Sequence, residues 1–190
     1  MAGRRTDTRE RIQQVALELF AERGYDKTSL QEVAERLQIT RPALYYHFRT
    51  KEEILAGVIE GLVESIEELV AWGRRQPATT EARLEILRRI SGLLSDQWRP
   101  LFRFAQVNQG AMEHHPKGER LRGCVISLVS LLCVPGESAE KQFESRLAVL
   151  AVILGNLPLL FGPGTDPGTD PGTDLNEVAL RVATKLVTGE

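Results

Sequence analysis

The chain has 190 residues, of which 42% are hydrophobic and 26% charged, as expected for a globular protein with a substantial core. Residues 1–51 carry ten Lys and Arg against seven Asp and Glu, whereas the remainder carries fourteen against nineteen. A basic first part favours a polyanionic partner there, although a chance imbalance of three charges would look the same. The longest apolar run, 147–161, is shorter than the roughly 20 residues of a membrane span. Residues 1–11 are polar and basic, so we expect a cytoplasmic protein with no membrane partner.

Sequence features of enzymes are missing. The chain has no Gly-rich phosphate loop, no CxxC or HExxH spacing and no Ser-containing nucleophile elbow. Cys124 and Cys133 are nine positions apart in one predicted helix, about 13 Å, which is too far for a disulfide. We therefore predict no enzyme activity, no metal site and no cofactor. An enzyme and a helical adaptor that binds other proteins remain the competing functional classes.

Apolar residues recur at helical spacing almost throughout, which predicts an all-α fold. The first helix is expected to begin near Asp7, with Glu10 completing a capping box, and to end at Gly24. Thr28 is predicted to cap a second helix, with Gln31 three residues later. The first two helices are thus short and separately capped.

Two further helices follow closely. Thr40 is predicted to cap the third, where Pro42 in the first turn leaves the next amide free for the Thr40 hydroxyl. Thr50 and Glu53 form a second predicted capping box, which opens a long helix to about residue 73. The later helices are expected near 80–97, 99–113, 117–133, 138–160 and 175–188, the last capped by Asp174 with Glu177. A Gly-Thr-Asp-Pro repeat at 164–174 is predicted to be a surface linker rather than a metal site.

The string Leu44-Tyr45-Tyr46-His47-Phe48, followed by Lys51-Glu52-Glu53, resembles the signature of the tetracycline-repressor (TetR) family of transcriptional regulators. The resemblance in motif covers residues 10–55. It implies an N-terminal three-helix helix-turn-helix DNA-binding domain in residues 1–51 and a larger helical effector-binding and dimerisation domain in residues 52–190. The chain departs from the family at the turn, where Leu37-Gln38-Ile39 replaces the usual Gly, so a left-handed Gln38 would cost about 1 kcal/mol.

The third helix is expected to place its first turn against base edges in the major groove, with Arg41 on guanine and Ala43 against a thymine methyl. The resemblance implies backbone contacts from the aromatic and imidazole side chains, and free helix N-termini favour phosphate. The predicted DNA-binding residues are Thr28, Thr40, Arg41, Pro42, Ala43, Tyr45, Tyr46, His47 and Lys51. Thr28 could instead be only a cap, Lys51 only solvated, and one of the two tyrosines partly packed.

One such unit grips too few base pairs for specificity, and the family dimerises through its last two helices. The residues expected at a homodimer interface are Leu147, Leu150, Ala151, Leu154, Val178, Val182 and Leu186. A two-fold dimer would require a palindromic operator in double-stranded DNA. Alternatively, both helices are consumed by the core of the monomer.

A small-molecule effector that releases a repressor from DNA is the mechanism that the resemblance implies. Amide side chains among apolar ones in the central helices could orient such a ligand, with aromatic rings as walls. The tentative effector residues are Trp72, Trp98, Phe102, Phe104, Asn108, Gln109, Met112 and Phe143. Asn108 and Gln109 could equally be polar residues satisfied within the fold.

Overall fold

A computed structural model of the chain describes residues 3–108, 118–156 and 174–189. Within those ranges it contains nine α-helices, one π-helical turn and no strand, which confirms the all-α prediction. The helices are α1 (Gly3–Arg23), α2 (Leu30–Arg36), α3 (Arg41–His47), α4 (Lys51–Gly73), α5 (Thr80–Gly92) with the π-turn Leu93–Gln97, α6 (Arg99–Val107), α7 (Gly118–Val129), α8 (Ala139–Asn156) and α9 (Leu175–Thr188).

Backbone contacts divide the chain into two compact units. The first comprises Met1–Leu62 with Pro100–Glu119, and the second comprises Val63–Arg99 with Arg120–Glu190. The first therefore contains α1 to α3, the beginning of α4 and nearly all of α6. The boundary predicted at residue 51 separates a DNA-binding domain from an effector-binding domain by function and not by backbone contacts. That division stays a prediction.

The core of the first unit follows the helical period of α1. Ile12, Ala16 and Phe20 are fully buried along one stripe of that helix. Leu44 and Phe48, at the middle and end of α3, are also buried. These two side chains attach α3 to the unit and leave its other face free.

Several helix bounds differ from those predicted. The predicted start of α1 near Asp7 is wrong, because the helix begins at Gly3 and passes through the Asp7–Glu10 pair without a break. The fifth predicted helix changes to π-helical geometry after Gly92. By contrast, α9 has the predicted bounds, and its Asp174 cap accepts a hydrogen bond from the Asn176 amide at 3.0 Å.

The second unit is built around α5, α8 and α9. A side chain at Gly155 on α8 would overlap Ala179 on α9, so glycine permits the close approach of these two helices. A polar link joins all three helices, because Ser91 Oγ and Asn156 Nδ2 both donate to Asn176 Oδ1, at 2.6 and 2.9 Å. Such satisfied, partly buried amides fix the lateral position of packed helices.

Candidate nucleic-acid interface

The segment α3 is a short, capped helix with one buried face. Thr40 is its N-cap, and the Thr40 hydroxyl accepts a hydrogen bond from the Ala43 amide at 3.4 Å, which confirms the predicted cap. Pro42 lies in the first turn. The side chains of Arg41, Pro42 and Ala43 are all exposed, whereas Leu44 is fully buried. The first turn of α3 is therefore open to a partner.

The turn between α2 and α3 is left-handed at Gln38, which has a φ of 57°. The Gln38 amide donates to Glu35 O and the Ile39 amide donates to Ala34 O, each at 3.0 Å. This pair of bonds is the Schellman arrangement that ends helices, usually with glycine at the left-handed position. Of the two possibilities that the sequence leaves open, a strained left-handed Gln38 or a different turn, the structure has the first, and the turn keeps the geometry that glycine would give it.

Arg41 is aligned along α3 by Tyr45. The Arg41 Nη2 donates to Tyr45 Oη at 3.2 Å, and the guanidinium carbon lies 5.2 Å from the centre of the Tyr45 ring. The two residues are four positions apart, which places their side chains on one helix face. The tyrosine thus restricts the arginine side chain while both remain exposed, a geometry suited to a planar acceptor such as a guanine edge.

Tyr46, which is exposed, and His47, which is half-buried, form the other edge of α3. The Tyr46 side chain is 68% exposed, and its ring meets the His47 imidazole edge-on at 5.3 Å. Tyr45 is exposed to 37%. A phenol group on a helix that already has two buried anchors can donate its O–H to a phosphate oxygen.

Lys51 begins α4, but its ammonium group has partners within the protein. Its Nζ donates to Tyr25 O at 2.6 Å and lies 4.5 Å from the centre of the Tyr25 ring. Both contacts fix the lysine beside the N-terminus of α4, where positive charge and free amides occur together. Lys51 is therefore held in place rather than freely solvated.

The predicted role of Thr28 as a helix cap is wrong. Ser29 caps α2, accepting from the Glu32 amide at 3.2 Å, while the Glu32 carboxylate accepts from the Ser29 amide at 2.7 Å. These hydrogen bonds from Ser29 hold the pKa of Glu32 below its ordinary value. The Thr28 side chain is only 2% exposed, and its hydroxyl donates inward to Gly24 O at 2.9 Å. Ser29 with Glu32 is a better capping pair because the carboxylate is charged.

Tyr25 joins the DNA-binding candidates to the rest of the first unit. Its hydroxyl donates to Glu52 Oε1 at 3.0 Å, and burial together with this bond raises the pKa of Tyr25 well above the ordinary value. Its ring packs against Phe20 and Phe104, at centroid distances of 5.0 and 5.8 Å. This cluster holds the loop after α1 in place.

Asn108 is a structural residue of this same cluster. Its Oδ1 accepts from the Tyr25 amide at 2.9 Å, and its Nδ2 donates to Phe20 O and Phe104 O at 3.3 and 3.1 Å. With these partners, its amide is satisfied within the fold, the alternative that the sequence left open. Phe104 is fully buried, and neither residue lines any of the three cavities found among the described residues.

The other tentative effector residues are scattered. Trp72 contacts Arg89, whose guanidinium carbon lies 3.8 Å from the ring centre, and Trp98 has a buried indole N–H with no acceptor among the described residues. Phe102 is half-buried, and Phe143 is 60% exposed on α8. Gln109 and Met112 lie outside the described residues, as does nearly all of the Gly-Thr-Asp-Pro repeat. The described members of the predicted set are divided between the two units, with Phe102, Phe104 and Asn108 in the first and Trp72, Trp98 and Phe143 in the second.

Besides an open depression of about 660 Å³ lined by Trp72 and Arg89, two concave surfaces of the second unit could admit a small molecule. One, of about 490 Å³, lies between α4 and α7 and is lined by Ile66, Glu67, Val70, Ala71, Arg74, Arg120, Gly123, Cys124 and Ser127. In it Arg120 donates three hydrogen bonds to the Glu67 carboxylate, from Nε and Nη2, with the shortest at 2.9 Å. Burial raises the pKa of the Cys124 thiol. The second surface, of about 340 Å³, lies near the end of α4.

The predicted dimer residues form an exposed apolar strip. Leu147, Leu154 and Val182 are more than a third exposed on α8 and α9, which is unusual for large aliphatic side chains. Leu150, Ala151, Val178 and Leu186 are half-buried between them. Phe143, predicted as an effector wall, lies one helical turn before Leu147 and extends the same strip.

In the part of the chain that the structure describes, no group of three or more His, Cys, Asp or Glu is arranged to hold a metal ion. No helix of the described ranges is long and apolar enough to cross a membrane.

Comparison with known proteins gives a consistent answer. Residues 12–58 match a family described as bacterial regulatory proteins, tetR family. The chain is 39% identical over 85 residues to the transcriptional repressor KstR2 of Rhodococcus jostii, covering 43% of this chain and 40% of that one. It is 40% identical over 63 residues to the regulator AcrR of Shigella flexneri, covering 33% and 29%. It is 30% identical over 155 residues to the repressor BepR of Brucella suis, covering 80% and 65%. The chain thus spans less than two thirds of each relative's length.

Solved structures share the fold over nearly the whole chain. A TetR-family transcriptional regulator from Mesorhizobium loti superposes with a TM-score of 0.62 at 17% identity, covering 97% of this chain and 95% of that one. PfmR, a TetR-family regulator from Thermus thermophilus, gives a TM-score of 0.59 at 22% identity, covering 93% and 97%. The sequence match identifies the N-terminal motif, and these structures extend the common fold to the helices that follow it. Residues 12–58 of the chain therefore match the tetR family of bacterial regulatory proteins, and the fold of the chain is similar to that of solved TetR-family regulators.

Proposed function

We propose that this protein is a DNA-binding transcriptional regulator whose helix α3 contacts the major groove. The observation that carries the proposal is the two-sided character of α3. Leu44 and Phe48 anchor it in the core, while Arg41 and Tyr46 stay exposed on the opposite side. Arg41, aligned by Tyr45, reads a guanine, and Ala43 meets a thymine methyl. Such a regulator acts on the chromosome, and on that ground we place it in the cytoplasm.

Phosphate contacts come from the margins of this surface. Tyr46, His47 and Lys51 lie around the end of α3 and the start of α4, where helix-terminal amides add to the positive potential. Thr28 is omitted from this set, because its hydroxyl is committed to Gly24 O. Ser29 takes its place, since it is exposed and begins α2.

The functional unit in this proposal is a homodimer. Phe143, Leu147, Leu154 and Val182 supply an exposed apolar strip on α8 and α9, and covering it with its two-fold copy removes that surface from water. Two copies of α3 then contact two half-sites, so the operator is an inverted repeat. Two of the relatives, KstR2 and BepR, are named transcriptional repressors, which supports repression rather than activation of transcription.

Selection of bound sites from random duplex DNA tests the DNA-binding proposal. Wild-type protein is expected to enrich an inverted repeat, with half-site centres separated by about one or more helical turns. Binding to the recovered duplex should weaken steeply as salt rises, because phosphate contacts release counterions. The proposal would be contradicted if no sequence is enriched at low salt, or if the binding affinity does not change with salt concentration.

We propose the surface between α4 and α7 as the effector site. Its volume of about 490 Å³ suits a small molecule, and it combines apolar Ile66 and Val70 with two arginines, Arg74 and Arg120. The ligand must bind one conformation of the dimer better than the other, since equal affinity would shift nothing. Ala71→Trp, at an exposed position in this surface, should abolish the response to an effector while operator binding without effector stays at the wild-type level. An unchanged response would place the effector elsewhere.

A further inference from the structure

Arg9, on α1, occupies a slot at the C-terminal end of α3. Its Nη1 donates to the backbone oxygen of His47 at 3.3 Å, and its guanidinium carbon lies 4.3 Å from the centre of the Phe48 ring. The carbonyl at the end of a helix carries partial negative charge, which a guanidinium neutralises. Arg9 thus connects α1 to the last turn of α3 through both a hydrogen bond and a stacked contact.

Gly57, on α4, leaves the room for this arrangement. A Cβ at position 57 would lie 2.5 Å from Gln13 Nε2 and 3.3 Å from Arg9 Nη2. Gly57 is also in the interior of a helix, where glycine is unfavourable. The slot is therefore formed jointly by α1, α3 and α4, and it depends on the missing side chain at position 57.

The helix α3 has few other restraints on its direction. It is seven residues long, and only Leu44 within it is buried. Its N-terminal end is held by the turn at Gln38, and its C-terminal end is held by the buried Phe48 ring, on which Arg9 stacks. A shift of this end would move Arg41 and Ala43 relative to the bases, and misplacement by about 1 Å is enough to lose a directional contact.

We infer that Arg9 is a positioning residue for DNA recognition, which acts by holding the direction of α3 and not by contacting bases. This inference rests on the proposed function. Because Arg9 is exposed, the competing view is that it contributes only positive charge toward phosphates. The two views differ in what happens when the guanidinium is displaced with its charge retained.

The experiment compares three variants with wild type. Arg9→Met removes the donor and the charge but keeps an unbranched stem to cover Phe48. Gly57→Ala crowds Gln13 Nε2 and Arg9 Nη2, at 2.5 and 3.3 Å from the new Cβ, so both side chains must shift while Arg9 keeps its charge. The variant should remain folded because alanine favours the helix. Gln13→Ala is the matched control, since Gln13 is the other side chain that a Cβ at position 57 would meet. Binding is measured to the selected duplex and to an unrelated duplex of equal length, with thermal unfolding recorded for each protein.

Arg9→Met and Gly57→Ala should each weaken binding to the selected duplex about tenfold, the equivalent of one lost charged hydrogen bond. Gly57→Ala should leave the affinity for the unrelated duplex and the salt dependence at wild-type values. Gln13→Ala should leave both affinities and the salt dependence at wild-type values. A purely structural role would lower the unfolding temperature without changing the ratio of the two affinities.

Two results would overturn the inference. In the first, Gly57→Ala binds the selected duplex like wild type while Arg9→Met weakens both duplexes equally, which makes Arg9 a simple charge. In the second, both variants keep the wild-type ratio of affinities. If wild-type protein itself selects no duplex, the proposed function fails instead, so the two failures are distinguishable.

Discussion

Replacing Gln38 with glycine should stabilise the protein. Gln38 is left-handed, with a φ of 57°, and its amide and that of Ile39 complete the turn after α2. An L-residue in this conformation costs about 1–2 kcal/mol. Glycine avoids that cost but loses about 0.5–1 kcal/mol through its greater freedom in the unfolded chain. The net gain for Gln38→Gly therefore lies between about 0 and 1.5 kcal/mol, with about 0.75 kcal/mol at the centre of the two ranges.

Urea unfolding at 25 °C measures this gain, with all proteins at one concentration because association shifts apparent stability. The midpoint should rise for Gln38→Gly with an unchanged slope. Gln38→Ala is the matched control, since alanine shortens the side chain but keeps a Cβ in the left-handed conformation. It should not be more stable than wild type. Equal stability of the glycine and alanine variants would show that the turn is not strained, and the reasoning would be refuted.

Three further predictions concern Asn108, Tyr25 and Leu147. Asn108→Ala should lower the free energy of unfolding by about 1–3 kcal/mol, because the Tyr25 amide loses its acceptor; an unchanged urea midpoint would contradict this. The raised pKa of Tyr25 means that the fold favours the neutral phenol, so its stabilisation is complete below pH of about 10 and is lost as the pH rises further. Tyr25→Phe should accordingly lose less stability than wild type between pH 9 and 11, and parallel losses in the urea midpoint would argue against the hydrogen bond from Tyr25 to Glu52. Leu147→Glu should shift sedimentation from dimer to monomer and weaken operator binding. If Leu147→Glu stays dimeric, the exposed apolar strip is not the dimer interface.

Helix capping explains which parts of this fold could be predicted from the sequence. Asp174 and Thr40 are each followed by a helix with few alternatives, so the starts of α9 and α3 were predicted correctly. Thr28 and Ser29 are adjacent hydroxyl residues, and each has Gln or Glu three positions later. The choice between them depends on Gly24 O at the end of α1, which accepts from Thr28. The hydrogen bond from Thr28 to Gly24 O depends on how the chain folds after α1, and it leaves no periodic pattern in the sequence.

The roles of single polar and aromatic residues were harder to predict. Asn108 was placed in an effector site because an amide among apolar residues suits a ligand. Its actual partners, Phe20 O and the Tyr25 amide, are more than 80 positions away in the chain. Phe143 has the spacing of the apolar strip on α8, four residues before Leu147, and that period could have assigned it to the same surface.

Comparative DNA binding by wild type and Arg41→Ala tests the central claim most directly. The measurement is the affinity for the selected duplex and for its single-base variants, each over a range of salt concentrations. Arg41→Ala should lose about 1–3 kcal/mol at one guanine position and discriminate poorly there, while its salt dependence changes by at most about one phosphate contact. If Arg41→Ala keeps the affinity and the base preference of wild type, the exposed face of α3 does not contact the bases.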